Sequence, residues 1–168
     1  MAVERPEPAL VAGERETLTS FLDYQRATLA WKCDGVAPER LAERGVPPSS
    51  MSLLGIVRHM ADVERSWFRR VLAGEDAPPV FWSKENEDGD FDDVDTADPD
   101  EAFATWQAEC ERAREITAGM ELDHVVVHPR WGEELCLRWV LVHMIEEYAR
   151  HNGHADLLRE RIDGAVGE

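Results

Sequence analysis

The sequence predicts an all-α fold, a four-helix bundle with long crossing loops. Four segments of roughly 20 residues repeat apolar side chains at the 3.6-residue spacing of a helix. One or two long connections join them, as in bundles with crossovers. No series of apolar strands alternates with the helices, which argues against a mainly parallel α/β sheet. The 168 residues, 43% of them hydrophobic, read as a single domain over 1–168. A chain of this length buries a substantial core without disulfides or a structural metal.

Each element has its own justification. Residues 1–13, with Pro6, Pro8 and Gly13, read as a loose leader. From Glu14 to about Cys33, Leu18, Phe21, Leu22, Gln25 and Leu29 recur at helical spacing, and Asp34-Gly35 ends the run. Val36 to Ser50, with three prolines, is a connector. Ser49 or Ser50 is positioned to cap a second helix running to about Ala73 and closed by Gly74. Its apolar stripe includes Leu53, Ile56, Val57, Met60, Trp67 and Val71. Residues 75–100 read as a solvated acidic loop, ten carboxylates lying between Glu85 and Glu101. A calcium loop started at Asp88 fails, because Asp93 falls where glycine is needed and Pro99 where the bidentate glutamate belongs. A third helix follows from about Pro99 to Ala118. An irregular crossing over 119–135 has room for a short strand at Val125–Val127, and a last helix runs from near Cys136 to about Ile162.

Composition excludes several classes. Eighteen basic against 35 acidic residues leave a net charge of −17, which opposes binding to nucleic acid or anionic membrane. No apolar run approaches the ~20 residues of a membrane span. The N-terminus lacks an apolar block behind a basic start, so a secretory signal is not expected. Cys33, Cys110 and Cys136 are widely spaced, with no Cys-x-x-Cys pair, and read as reduced core thiols of a cytoplasmic protein. The basic residues comprise sixteen arginines and only Lys32 and Lys84, which suggests a GC-rich source.

The chemistry-bearing segment is Leu137 to Asp156. With ~100° per residue and Leu137 at zero, Val140, Leu141, Met144, Tyr148, Ala155 and Leu158 fall within about 60° of zero and define the buried face. Glu147 and His151 then stand beside that face, at about 280° and 320°, while His143 and His154 lie nearer its rim. Glu146 should face water. A carboxylate and an imidazole four residues apart stack with Cβ atoms about 5–6 Å apart, so both can grip one metal ion. An ordinary core-margin Glu147–His151 pair satisfies the same spacing. On the second helix His59 flanks the apolar stripe beside Ile56 and Val63, where it can supply a third ligand. Glu and two His suit a divalent transition metal and leave coordination positions open. Asp62, three residues on, could orient His59 or, more simply, face solvent. Arg150 reads most simply as an exposed arginine, although it could meet a substrate carboxylate; Phe81 and Trp82 could line a pocket mouth, and His124 and His128 read as loop histidines. Trp67, Trp106, Trp131 and Trp139 read as core or crossing anchors.

The runs Leu53-Leu-Gly-Ile-Val-Arg-His-Met-Ala-Asp-Val-Glu64 and His143-Met-Ile-Glu-Glu-Tyr-Ala-Arg-His-Asn-Gly-His-Ala-Asp-Leu-Leu-Arg-Glu160 resemble the DinB-like superfamily. More narrowly, they resemble its actinobacterial branch grouped with mycothiol-dependent transferases, including maleylpyruvate isomerase. The resemblance spans about Glu14 to Glu160. It implies a DinB-like bundle of up-down-down-up connectivity, often a homodimer. It also implies a divalent ion, Zn2+ first with Ni2+ or Mn2+ as alternatives, held here by His59, Glu147 and His151.

Three functional readings follow. In the leading one, the ion activates a low-molecular-weight thiol such as mycothiol for S-transfer onto a small electrophile, with His154 as an acid/base group. In the second, the same ligands activate water for hydrolysis, with His154 or Glu146 as base. In the third, the protein is a non-catalytic helical bundle in which the metal acts as a staple.

Overall fold

The computed structural model describes residues 4–167. It is predominantly helical, with one small two-stranded sheet. In chain order the elements are α1 (Glu14–Cys33), α2 (Leu53–Glu64), α3 (Gly89–Asp92), α4 (Pro99–Thr117), β1 (Val125–Val127), β2 (Glu134–Cys136) and α5 (Leu137–Asp163). α1 packs along α5 and α2 along α4, while α2 also touches α5. β1 and β2 pair antiparallel with Val125 opposite Cys136, so the crossing before α5 is a hairpin.

Local chemistry sets most boundaries. α2 is capped by Ser52, whose hydroxyl accepts the Gly55 N–H at 3.0 Å. Ser49 and Ser50 lie too early for this, and Ser49 instead accepts the Met51 N–H at 3.2 Å. At Arg65 the helix widens into a π-helical stretch, Arg65–Leu72, where the Ala73 N–H reaches back five residues to Phe68. That wider turn buries Trp67, Phe68, Val71 and Leu72 together. Gly74 then takes φ +66°, the left-handed stop the sequence implied. Asp98 caps α4 by accepting the Asp100 N–H at 2.9 Å, with Pro99 at the first helical position.

Segment 75–100 departs from a simple solvated loop. It folds into α3 and a 3-10 turn, Asp93–Thr96, and it buries Gly89, Asp90 and Val94. In the leader, Arg5 lies over the rings of Tyr24 and Trp31 at 5.0 and 4.6 Å.

At the centre, four elements converge on one carboxylate. Glu64 of α2 has no solvent exposure. Arg26 of α1 grips it bidentately, Nε to Oε1 and Nη2 to Oε2, both at 2.8 Å. Tyr148 of α5 donates its hydroxyl to Oε1 at 2.7 Å and accepts the indole N–H of Trp106 of α4 at 2.8 Å. Cys110 of α4 adds a thiol contact to the same carboxylate at 3.6 Å. Around this network pack Leu22, Leu29, Met60, Phe68, Leu141 and Met144, all nearly or fully buried. A second charge cluster, in which Arg65 and Arg69 share Glu109 while Arg69 and Arg112 share Glu75, is partly exposed and stabilises little by comparison.

Two outcomes test this interior. Glu64→Ala removes both hydrogen bonds that neutralise the buried Arg26 guanidinium, leaves it only the partly exposed Asp23 at 3.0 Å, and should cost about 3 kcal/mol in urea unfolding. Tyr148→Phe keeps that ion pair but strands the Trp106 N–H, for about 1–3 kcal/mol. A loss below about 1 kcal/mol for Glu64→Ala would contradict a network of this importance. Burial also pushes the Cys33 thiol up to about 12 and the Cys110 thiol higher still. In native protein a thiol reagent should therefore modify half-buried Cys136 first, with Cys33 and Cys110 reacting only on unfolding.

Candidate metal centre

α2 carries a polar stripe on its outer flank at Gly55, Arg58, His59 and Asp62, the i, i+3, i+4, i+7 spacing of one helix face. Every member engages the segment that follows the π-helical stretch. Asp62 accepts the backbone N–H groups of Val80 and Phe81 at 2.7 and 2.8 Å. Burial raises its pKa, opposed by those two hydrogen bonds. The Arg58 guanidinium donates to the carbonyls of Asp90 and Gly89, both at 3.0 Å, and lies 4.5 Å from the Phe81 ring. Gly55 makes room for Phe91, because a Cβ there would stand 2.8 Å from Phe91 Cδ1. Held this way, Asp90 is only 4% exposed and its Oδ2 meets His59 Nδ1 at 2.8 Å. A carboxylate oxygen accepts, so in the neutral ring the proton sits on Nδ1 and Nε2 keeps its lone pair.

α5 brings the other two side chains. One donor atom from each of His59, Glu147 and His151 lies within 4.8 Å of the others. The His59 and His151 rings are 4.7 Å apart at their centroids. His151 Nε2 and Glu147 Oε2 stand 3.7 Å apart, too far for a hydrogen bond. His151 is 8% exposed and its Nδ1 has no hydrogen-bond partner among the described residues. Burial above all, and then the charges of His59, His154 and Arg150, depress its pKa to about 4, so the ring is neutral at pH 7.

Of the three donors, His59 also lines an open groove of about 500 Å³, together with Ser66, Trp67, Trp82, Asp90 and Arg130 among others. Trp67 joins this groove to an aromatic wall. Trp67 meets His128, Trp131, Trp139 and His143 at centroid distances of 4.6–5.7 Å. His143 Nε2 in turn lies 3.4 Å from Glu147 Oε1.

Several sequence expectations change here. Asp62 neither orients His59 nor faces water; it ties down residues 80 and 81. Asp90, hidden in the acidic run, is the residue against His59. His128 is a loop histidine as expected, but a buried one whose Nδ1 accepts the N–H groups of Arg130 and Trp131. Arg150, by contrast, is exposed as expected and pairs with Glu146 at 2.8 Å. Trp82 does line the groove. His154 sits edge-on to His151 at 5.4 Å, with a buried Nδ1 that has no partner among the described residues. The stripe at 55, 58, 59 and 62 was the available signal for the docked segment, since charged residues so near a core face need partners.

The family model described as Mycothiol-S-transferase matches residues 17–164. The chain belongs to the mycothiol-S-transferase family. No curated protein is significantly similar to it. In this mycothiol-S-transferase family member the donor set suits a divalent ion: two imidazoles with lone pairs to offer and one carboxylate, close together but not bonded to one another. Among the described residues, no helix is long and apolar enough to cross a membrane.

His151 supplies a pH test on protein stripped of metal. Unfolded, its ring takes a proton near 6.5; folded, it refuses one until about 4. Its contribution to stability is therefore complete above 6.5 and lost as pH falls through that window, up to about 2 kcal/mol at pH 5. Urea midpoints at pH 7.5 and 5 should differ less in His151→Gln than in wild type. Equal differences would show that His151 does not resist protonation.

Proposed function

We propose that the protein is a metal-dependent thiol S-transferase, conjugating a low-molecular-weight thiol such as mycothiol to an electrophilic small molecule. The observation that carries this is the convergence of His59, Glu147 and His151, with His59 also lining an open groove, in a chain of the mycothiol-S-transferase family. These three would hold the ion, Zn2+ in preference to Ni2+ or Mn2+ because two imidazoles and one carboxylate suit it. When bound, the ion supplies Lewis acidity that lowers the pKa of a coordinated thiol below its ordinary ~8.5.

The chain's own residues prepare that site. Asp90 fixes the His59 ring so that Nε2 points away from the acidic segment, and burial keeps the His151 ring unprotonated. A single carboxylate among the ligands leaves the ion with net positive charge for the thiolate. Trp67 and Trp82 give the groove apolar faces that shelter a reacting carbon from water. His154, next to His151, is placed to exchange protons with an incoming thiol. The reading includes the up-down-down-up four-helix bundle, supported by the α1–α5 and α2–α4 pairing. It also includes a cytoplasmic homodimer, for which the support is the resemblance to the DinB-like superfamily and three cysteines left as free thiols.

Elemental mass spectrometry should find about one divalent ion per chain, lost when His59, Glu147 and His151 are all replaced by alanine. Asp90→Asn should weaken metal affinity about 10–100-fold, whereas Asp88→Asn should not. Mycothiol added to cobalt-substituted protein should produce a thiolate charge-transfer band, and conjugation of an alkyl or aryl halide should require the thiol. Native protein that takes up no zinc, nickel or manganese on reconstitution would end the proposal, and turnover without thiol would replace it with hydrolysis.

A further inference from the structure

The arginines of this acidic chain are almost all engaged. They pair with carboxylates or donate to backbone carbonyls, as Arg15, Arg58 and Arg161 do, and Arg5 stacks on Tyr24 and Trp31. Arg70 and Arg130 are the exceptions: neither has an ion pair, hydrogen bond or cation–π contact through its side chain among the described residues. With 35 acidic residues against 18 basic ones, two unpaired guanidinium groups are not explained by a shortage of carboxylates. Arg130 even shares its groove with Glu87 and Asp88 without bonding either.

Of the two, Arg130 lines the groove that holds His59. The charges of Arg130 and Arg70 both lower the pKa of His128, after burial. Arg130 is held there by a built turn. Its backbone N–H and that of Trp131 donate to His128 Nδ1 at 3.2 and 3.1 Å, and Gly132 closes the turn at φ +73°, its N–H bonded to the His128 carbonyl at 2.9 Å. The ring of His128 stacks on Trp131 at 3.8 Å and rests on Trp67. From that support Arg130 faces the groove that holds His59.

A guanidinium kept free beside an aromatic wall, in a molecule whose overall field repels anions, marks the spot where an anionic group is admitted. We propose that the groove takes an electrophile bearing a carboxylate, with Arg130 as the residue that receives the carboxylate and selects for it. Arg70 adds local positive potential, and Trp67 and Trp82 cover the planar or unsaturated part of the substrate. The reactive carbon is thereby turned toward His59, Glu147 and His151. This inference rests on the transferase reading for the meaning of the groove, but Arg130's role is measurable without metal or turnover.

The test is calorimetric titration of metal-free protein with trans-cinnamate and with its neutral isostere trans-cinnamamide. Wild type should prefer the acid by about tenfold, the scale of one charge-assisted pairing. Arg130→Gln should bring the ratio to about one without changing amide affinity, and Arg130→Lys should keep part of the preference. Arg112→Gln removes the same charge far from the groove and should leave the ratio intact, with circular dichroism confirming that each variant is folded. An undiminished ratio in Arg130→Gln, a preference that appears only after zinc loading, or no binding of the acid to wild type would each overturn the assignment. Loss of the ratio in a protein that fails to conjugate any thiol would sink the transferase reading and leave the anion subsite standing.

Discussion

Glu64 ends α2 at the point where α1, α4 and α5 come together, and it is sealed from water. A carboxylate there is tolerable only because Arg26 neutralises it with two hydrogen bonds and Tyr148 adds a third. Directional bonds of this kind do what apolar contacts cannot: they select one register of α2 against α5. The consequence reaches the candidate metal centre directly. Tyr148 is the neighbour of Glu147 in sequence, and Glu64 lies little more than one turn beyond His59. Fixing Tyr148 against Glu64 therefore sets how far along α5 the His59 side chain falls, and it falls beside Glu147 and His151.

The two flanks of α2 divide the labour. One carries Leu53, Ile56, Val57 and Met60 into the core. The other carries Gly55, Arg58, His59 and Asp62 against the segment after residue 75. That segment is strongly acidic and would be expected to stay in water. Three devices hold part of it down: carbonyls captured by Arg58, amides captured by Asp62, and a glycine that admits Phe91. The π-helical widening beyond Glu64 then places Trp67 both in the core margin and in the aromatic wall that adjoins the groove. A single continuous helical run thus supplies the hydrophobic face, the buried carboxylate, a candidate ligand and a groove wall.

Electrostatics in this molecule are local rather than global. The net charge of −17 repels anions at a distance and Asp62, Glu87, Asp88 and Asp90 line the groove, yet Arg130 stands among them with a guanidinium that has no partner among the described residues. Buried groups follow the same local rule. Desolvation pushes the His151 pKa down and the thiols of Cys33 and Cys110 up, keeping all three uncharged inside the fold.

Read alone, the sequence determined the helices and most of their ends, because periodic apolar residues, Asp34-Gly35, Gly74 and Pro99 act through short-range sterics and hydrogen bonding. It also offered Glu147 and His151 as candidate ligands, since residues one helical turn apart share a face whatever surrounds them, and His59 from its place at the flank of the α2 stripe; the resemblance of the two runs implied the same candidates. The exact cap of α2 was missed by a few residues, because three nearby serines carry the same local signal. What no local rule could supply was pairing across the chain. Glu64 with Arg26, Trp106 with Tyr148, and Asp90 with His59 are separated by 31 to 42 residues. Asp90 was indistinguishable from its acidic neighbours until packing removed it from water. Only the tertiary structure decided which charges became buried partners and which stayed solvated, because desolvation depends on what closes over a group and not on the group itself.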